Sequence, residues 1–193
     1  YYVALAEQAE PQLTGREQGV WFSRLEWTHE NVRAALRWLL DYDEGEQAVR
    51  LASALGYFWE AHGYMAEGRR WLEEALERAS EVNPHLRARA LSRLGALLVW
   101  MADEAEHPRA VLTEALELAR TVQDPVTIAR SLFYLGVLGQ VTKDWDQGRR
   151  HVEEALASWQ DAGDAWGIAY TLLYLGVIEF RQGHYQKAMP LME

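Results

Sequence analysis

The sequence predicts an all-α fold: an α-α superhelix of about four helix-turn-helix repeats, with a period of about 40 residues, behind an atypical N-terminal helical segment. Three observations carry that expectation. A Leu-Gly pair recurs at Leu55-Gly56, Leu94-Gly95, Leu135-Gly136 and Leu175-Gly176, so that successive glycines fall at intervals of 39, 41 and 40. A Glu-Ala-Leu triplet begins at Glu74, Glu114 and Glu154 and keeps the same period. Ala, Leu, Glu and Arg dominate, and the whole chain contains only five prolines, a helix-forming mixture. A hairpin of two helices cannot bury its apolar side alone, so a fixed interval of this size implies stacking.

Residues 1–42 do not follow the repeat. Tyr1 to Ala9 reads as a helix end stopped near Pro11. Thr14-Gly15-Arg16-Glu17 has the form of a capping box, with a helix running from it through Trp21 and Leu25. A second helix spans Asn31 to Tyr42 and turns Val32, Leu36, Leu39 and Leu40 inward. The repeats then occupy 43–82, 83–123, 124–163 and 164–193, the last cut short because its triplet would begin one residue past Glu193. With no initiator methionine at Tyr1, the chain reads as a piece of a longer protein.

In the first helix of each repeat, apolar residues lie four and one before the glycine and two after it, as at Leu132, Leu135 and Leu138. That spacing makes one helical face. A mid-helix glycine costs about 1 kcal/mol against Ala, so its recurrence implies close approach by the paired helix. In the second helix Gly68, Pro108, Gly148 and Ala188 precede Leu72, Leu112, Val152 and Met192 by four, with Ala75, Ala115 and Ala155 on the same face. Asn83-Pro84 and Asp124-Pro125 read as N-caps followed by proline, and Asp43 and Asp164 hold the equivalent places. Pro190 breaks the second-helix pattern and is expected to delay that helix. Trp38, Trp59 and Trp71 are expected in the core; Trp100, Trp145 and Trp166 fall near turns.

The net charge of −10 argues against direct nucleic-acid binding, which concentrates Lys and Arg, and leaves room only for a local basic strip. With no cysteine there is neither disulfide nor thiolate metal site, in keeping with a cytoplasmic protein. No apolar run approaches a membrane span and no signal peptide is visible. There is no phosphate-binding loop motif and no H-E-x-x-H. Glu26-Trp27-Thr28-His29 has the spacing of one half of a di-iron motif, but two such helices are needed, so the pair is expected at the surface. Gly68-Arg69-Arg70 recurs as Gly148-Arg149-Arg150; these arginines face Glu73, Glu74, Glu153 and Glu154 at i+4, which favours salt-paired helix faces over a phosphate site. No catalytic residue, metal site or cofactor is assigned, and the segment is read as no enzyme.

The spacing within each repeat resembles the tetratricopeptide (TPR) pattern. The glycine of the Leu-Gly pair precedes the small residue by twelve in three of four copies, and the small residue precedes the triplet Ala by seven in the three complete ones. The longer period departs from that family and resembles the repeats of bacterial STAND-type regulators. Residues 21–38, WFSRLEWTHENVRAALRW, look like the segment joining the nucleotide-binding and winged-helix core of those regulators to their sensor repeats. The resemblance implies a right-handed solenoid whose first helices line a concave groove. It also implies an upstream ATPase core that changes state when the repeats bind, and in many members a LuxR-type or other DNA-binding domain.

Six residues before the first three repeat glycines lie Arg50, Arg89 and Arg130, with Tyr170 at the fourth position. Ser53, Tyr57, Glu60, Ser92, Phe133 and Gln140 share their helix face. These ten residues are the candidate groove. Arginines and aromatics are favoured where binding energy concentrates, and arginine grips carboxylates and phosphates bidentately. Two readings of the arginines stand side by side: a binding ladder, or pairing with glutamates of the preceding repeat. The function expected is a sensor or interaction domain of a signal-transducing transcriptional regulator, taking a protein, peptide or small-molecule effector in the groove. The alternative is a self-association scaffold, with the first helices forming a homo-oligomer interface.

Overall fold

A computed structural model describes residues 1–79, 81–101 and 104–192. Every regular element among them is helical. Helices α1 (Tyr2–Ala9) and α2 (Gln18–Asp41) precede four hairpins: α3 (Gly45–Ala61) with α4 (Met65–Arg78), α5 (Pro84–Met101) with α6 (Glu106–Thr121), α7 (Pro125–Val141) with α8 (Trp145–Ala162), and α9 (Ala165–Arg181) with α10 (Tyr185–Met192). Each second helix packs on its own first helix and on the first helix of the next hairpin, and α3, α5 and α7 run side by side. The result is an α-α superhelix of TPR-like repeats. No helix among the described residues is long and apolar enough to cross a membrane.

The turns repeat as the helices do. Asp43, Gly63, Gln123, Lys143, Gly163 and Gly183 each take the left-handed conformation between consecutive helices. After most of them the next amide reaches back to close the preceding helix, as Asp124 N–H does to Ala119 (3.0 Å) and Asp164 N–H to Trp159 (3.1 Å). The same residue then opens the next helix. The Asp124 carboxylate accepts from Thr127 N–H and the Asp164 carboxylate from Gly167 N–H. Asn83 accepts from His85 N–H. Asp43 does not follow them: it is itself the left-handed turn residue, and Glu44 stands at the cap without a side-chain bond.

The recurrent glycines do admit close neighbours, with one exception in kind. A methyl at Gly95 would strike Leu112, at Gly136 Val152, and at Gly176 Met192, all on the paired second helix. At Gly56 the intruder is Arg93, from the next hairpin, whose Cδ, Cγ and Cβ would lie 2.6, 2.8 and 2.9 Å away. The tightest seam joins α7 to α8, where Gly139 and Gly148 bring the two backbones together.

Several local expectations need correction. The capping box at Thr14 does not form; α2 begins at Gln18, and Glu17 makes no capping bond. Residues 18–41 are one continuous helix rather than two, because no glycine, proline or cap interrupts the inward residues Leu25, His29, Val32, Leu36 and Leu40. Together α1 and α2 act as a hairpin without the repeat's sequence: α1 lies beside α3 as α3 lies beside α5, and α2 packs on α3. Pro190 does not delay α10, which starts at Tyr185 as its counterparts do; the missing amide would have served the carbonyl of the exposed Gln186, which water can serve instead. Trp59 and Trp71 are buried as expected, whereas Trp38 is 53% exposed and stacks on Tyr42 instead. Residue 193, where the fourth repeat breaks off, and residues 102–103, beside the extra residue of the second repeat, lie outside the described residues.

Candidate functional site

The first helices curve so tightly that the inner face closes on itself. Tyr57 of α3 meets Trp166 of α9, ring centroids 5.3 Å apart, across three repeats. Glu60 of α3 accepts from the Tyr134 hydroxyl of α7 (2.5 Å) and from the Trp100 indole of α5 (2.9 Å). Between these contacts lies a cavity of about 350 Å³, at the small end of ligand sites and partly open to solvent.

One wall is aromatic: Phe133 and Tyr134 from α7, Trp166 and Tyr170 from α9, and Trp159 from α8. Trp166 stacks on Tyr170 at 4.9 Å, and Tyr170 stands 5.2 Å from Phe133. Gly167 has no side chain because the Trp159 ring occupies the space where a Cβ would lie. The other wall carries three guanidiniums, Arg89 and Arg93 from α5 and Arg130 from α7, with His85 of α5 beside them. The turn after α1 supplies Glu10, Pro11 and Thr14 as a lip.

The charges are unevenly matched. Glu10 is shared by Arg89 and Arg93, the latter at 3.2 Å. The carboxylates of Asp124 and Asp164 also line the cavity, but both cap helices, and Asp124 in addition accepts from the Thr127 hydroxyl at 2.5 Å. Arg130 is 7% exposed, and its Nε donates to Ser92 Oγ at 3.3 Å. Among the described residues Arg130 forms no ion pair and no other hydrogen bond. Burial, followed by the positive charges of Arg93 and Arg89, holds its guanidinium well below the ordinary arginine value. Burial likewise lowers Arg93, and raises Tyr134 with the help of the Glu60 charge and its hydrogen bond.

Of the ten groove residues read from the sequence, Tyr57, Arg89, Arg130, Phe133 and Tyr170 line the cavity. Ser92 sits behind it as the partner of Arg130, and Glu60 pins its rim. The other three lie elsewhere. Arg50 grips Glu7 bidentately at 2.8 and 2.9 Å, Ser53 is buried and donates to the Val49 carbonyl, and Gln140 bonds Tyr174 and Arg181. The arginine ladder thus divides: Arg50 and Arg89 meet carboxylates of the N-terminal segment, and Arg130 meets none among the described residues.

Sequence reasoning passed over Arg93, Tyr134 and Trp166. A register signal exists for them. The position two before the glycine carries Arg93, Tyr134 and Tyr174, large polar side chains in otherwise apolar helices, and the position ten before carries His85, Val126 and Trp166, all on the cavity wall.

Of the E-x-x-H pair Glu26 is exposed, as expected, and His29 is not. His29 is buried, with Nε2 3.1 Å from Glu67, which also takes Arg33 (2.8 and 2.5 Å) and the Trp71 indole (3.3 Å). Glu26 turns instead to the Tyr64 hydroxyl. The pair therefore joins α2 to α4. No cluster of three potential metal ligands exists among the described residues. Arg69 and Arg149 pair with Glu73 and Glu153, and Arg149 also with Glu179, which commits them to helix faces and the next hairpin.

Fold and cavity together define a helical-repeat solenoid with a ligand-sized inner chamber. Among solved structures the chain is similar to RapI in its apo form (TM-score 0.67, 16% identity, covering 88% of this chain and 65% of that one) and to BtubC from P. vanneervenii (TM-score 0.66, 20% identity, 98% and 85%). At those identities the likeness concerns the fold. In sequence it is 27% identical over 184 residues to candidate HTH-type transcriptional regulators of Mycobacterium bovis and Mycobacterium tuberculosis. The alignment takes in 92% of this chain and only 20% of those proteins' length. No protein-family model matches the sequence.

Proposed function

We propose that this chain is the effector-binding repeat region of a cytoplasmic transcriptional regulator, non-catalytic in itself, with the inner chamber as its site. The observation that carries this reading is the chamber: aromatic and guanidinium side chains from four hairpins converge on a space of ligand size. The similarity to mycobacterial HTH-type regulators supports a regulatory parent. The resemblance of residues 21–38 to a regulator's joining segment supports an ATPase and winged-helix core upstream, to which α1 and α2 would pass the signal. An occupant touching α3, α5, α7 and α9 together biases the curvature of the whole stack, the kind of two-state element through which binding is reported.

Ligand-observed NMR with a fragment library of mixed charge tests the proposal. Fragments should compete for one site, and hydrogen exchange should slow in α5, α7 and α9 when one is bound. A library without hits, or hits that leave those helices unaffected, refutes it. Light scattering separates the alternative: a concentration-dependent dimer disrupted by substitutions on the inner helices would favour a self-association scaffold.

A further inference from the structure

We propose that the chamber selects an oxyanion, carboxylate or phosphate, carried on a planar aromatic body, with the anion seated on Arg130 and the ring held among Phe133, Trp166 and Tyr170. The inference rests on the reading of the chamber as the effector site and adds the ligand's chemistry.

Three guanidiniums border the chamber, from Arg89, Arg93 and Arg130, and the one lining carboxylate not engaged in capping, Glu10, is divided between the first two. Arg130 is left with a neutral serine hydroxyl. A buried charge without a bonded counter-charge destabilises a fold. A guanidinium kept there, on a cavity wall, is preorganised for an incoming anion: its Nε is already held by Ser92, the nearby Asp124 carboxylate is engaged in capping α7, and no other hydrogen bond among the described residues takes the rest of its fork. Arg93 adds a buried Nε with no partner among the described residues. Opposite, the Trp166–Tyr170 stack and the Phe133 ring offer flat apolar surface. A chamber of about 350 Å³ admits one ring with a short acidic arm and little more.

The test is calorimetric titration of the whole chain with 3-phenylpropionate and phenyl phosphate against 3-phenylpropan-1-ol, which has the same body and no charge. Two further arms, Gly-Phe with a free carboxylate and Gly-Phe amide, distinguish a peptide terminus from a free acid as the source. The acids should bind at least ten-fold tighter than the alcohol. Arg130→Met should weaken them roughly ten- to hundred-fold, the worth of charge-assisted hydrogen bonds. Arg50→Met, outside the chamber, should leave them unchanged. Should Arg130→Met fail to fold, Glu10→Gln gives an independent reading: by releasing Arg89 and Arg93 it should tighten acid binding several-fold. Equal binding of acid and alcohol, undiminished affinity in Arg130→Met, weaker acid binding in Glu10→Gln, or no binding of any probe would overturn the proposal. If neutral or cationic fragments alone occupy the chamber, the effector-site reading survives and the anion class does not.

Discussion

The α7–α8 seam lets one substitution be followed from geometry to stability. A Cβ at Gly139 would lie 2.6 Å from Gly148 Cα and 2.9 Å from the Asp144 carbonyl oxygen, both backbone atoms that no rotamer change can move. Ordinary contact needs about 3.5 Å, so α8 must retreat by roughly 1 Å. Overpacking of this kind costs about 1–3 kcal/mol, while replacing a mid-helix glycine with alanine returns about 1 kcal/mol of propensity. Because the clash is with main chain, Gly139→Ala should be destabilising by about 1–2 kcal/mol net, a fall of several degrees in thermal midpoint for a chain of this size. Gly19, with nothing within 4 Å of its added carbon, is the control: Gly19→Ala should be neutral or slightly stabilising. Urea unfolding by circular dichroism of both variants measures the difference. A Gly139→Ala chain as stable as Gly19→Ala would show that the hairpin is not held by backbone contact, and the account of why glycine recurs here would fail.

Other outcomes follow from the same contacts. Glu60→Ala strands the buried Tyr134 hydroxyl, while water can take over the exposed Trp100 indole, and should cost about 1–3 kcal/mol in urea unfolding. Gly56→Ala should force the Arg93 stem aside and loosen the packing of α3 on α5, costing about 1–3 kcal/mol in urea unfolding. Burial pushes the Glu67 carboxyl up, but Arg33, His29 and Trp71 more than offset it and hold the group below the usual carboxylate range. A depressed folded value means that its stabilisation is complete above the unfolded value and disappears as pH falls through the folded one. Wild type should therefore exceed Glu67→Gln in thermal midpoint at pH 7, and the gap should narrow progressively as pH falls below the ordinary carboxylate value of about 4.3. For His151, which burial lowers, the neutral form is favoured by folding, so its contribution also falls as pH drops below about 6.5; His151→Leu should flatten that part of the profile.

The hairpins were legible in the sequence because one requirement, an apolar stripe meeting a small-residue stripe, recurs at Leu55-Gly56 and Gly68 and again at each interval. Caps at Asp124 and Asp164 were legible for the same local reason. The α1–α2 hairpin was not, because it lacks the Leu-Gly register and is recognised only by what it packs against. Nor was the closing of the groove. Curvature accumulates from small rotations between hairpins, and no short window of sequence encodes the meeting of Tyr57 with Trp166. Arg93 escaped for a related reason: its stem crosses Gly56 of the preceding hairpin, a contact invisible to a register built on pairing within each repeat.

That crossing bears on how such an array can evolve. Repeated modules invite duplication, loss and shuffling, yet here the notch at Gly56, the Arg93 stem that passes over it and the Glu10 carboxylate it reaches belong to three successive hairpins in a set order. Exchange two of them and the notch would no longer meet that arginine, nor the arginine that carboxylate. The order of the modules is therefore tied to the interior as well as to their packing.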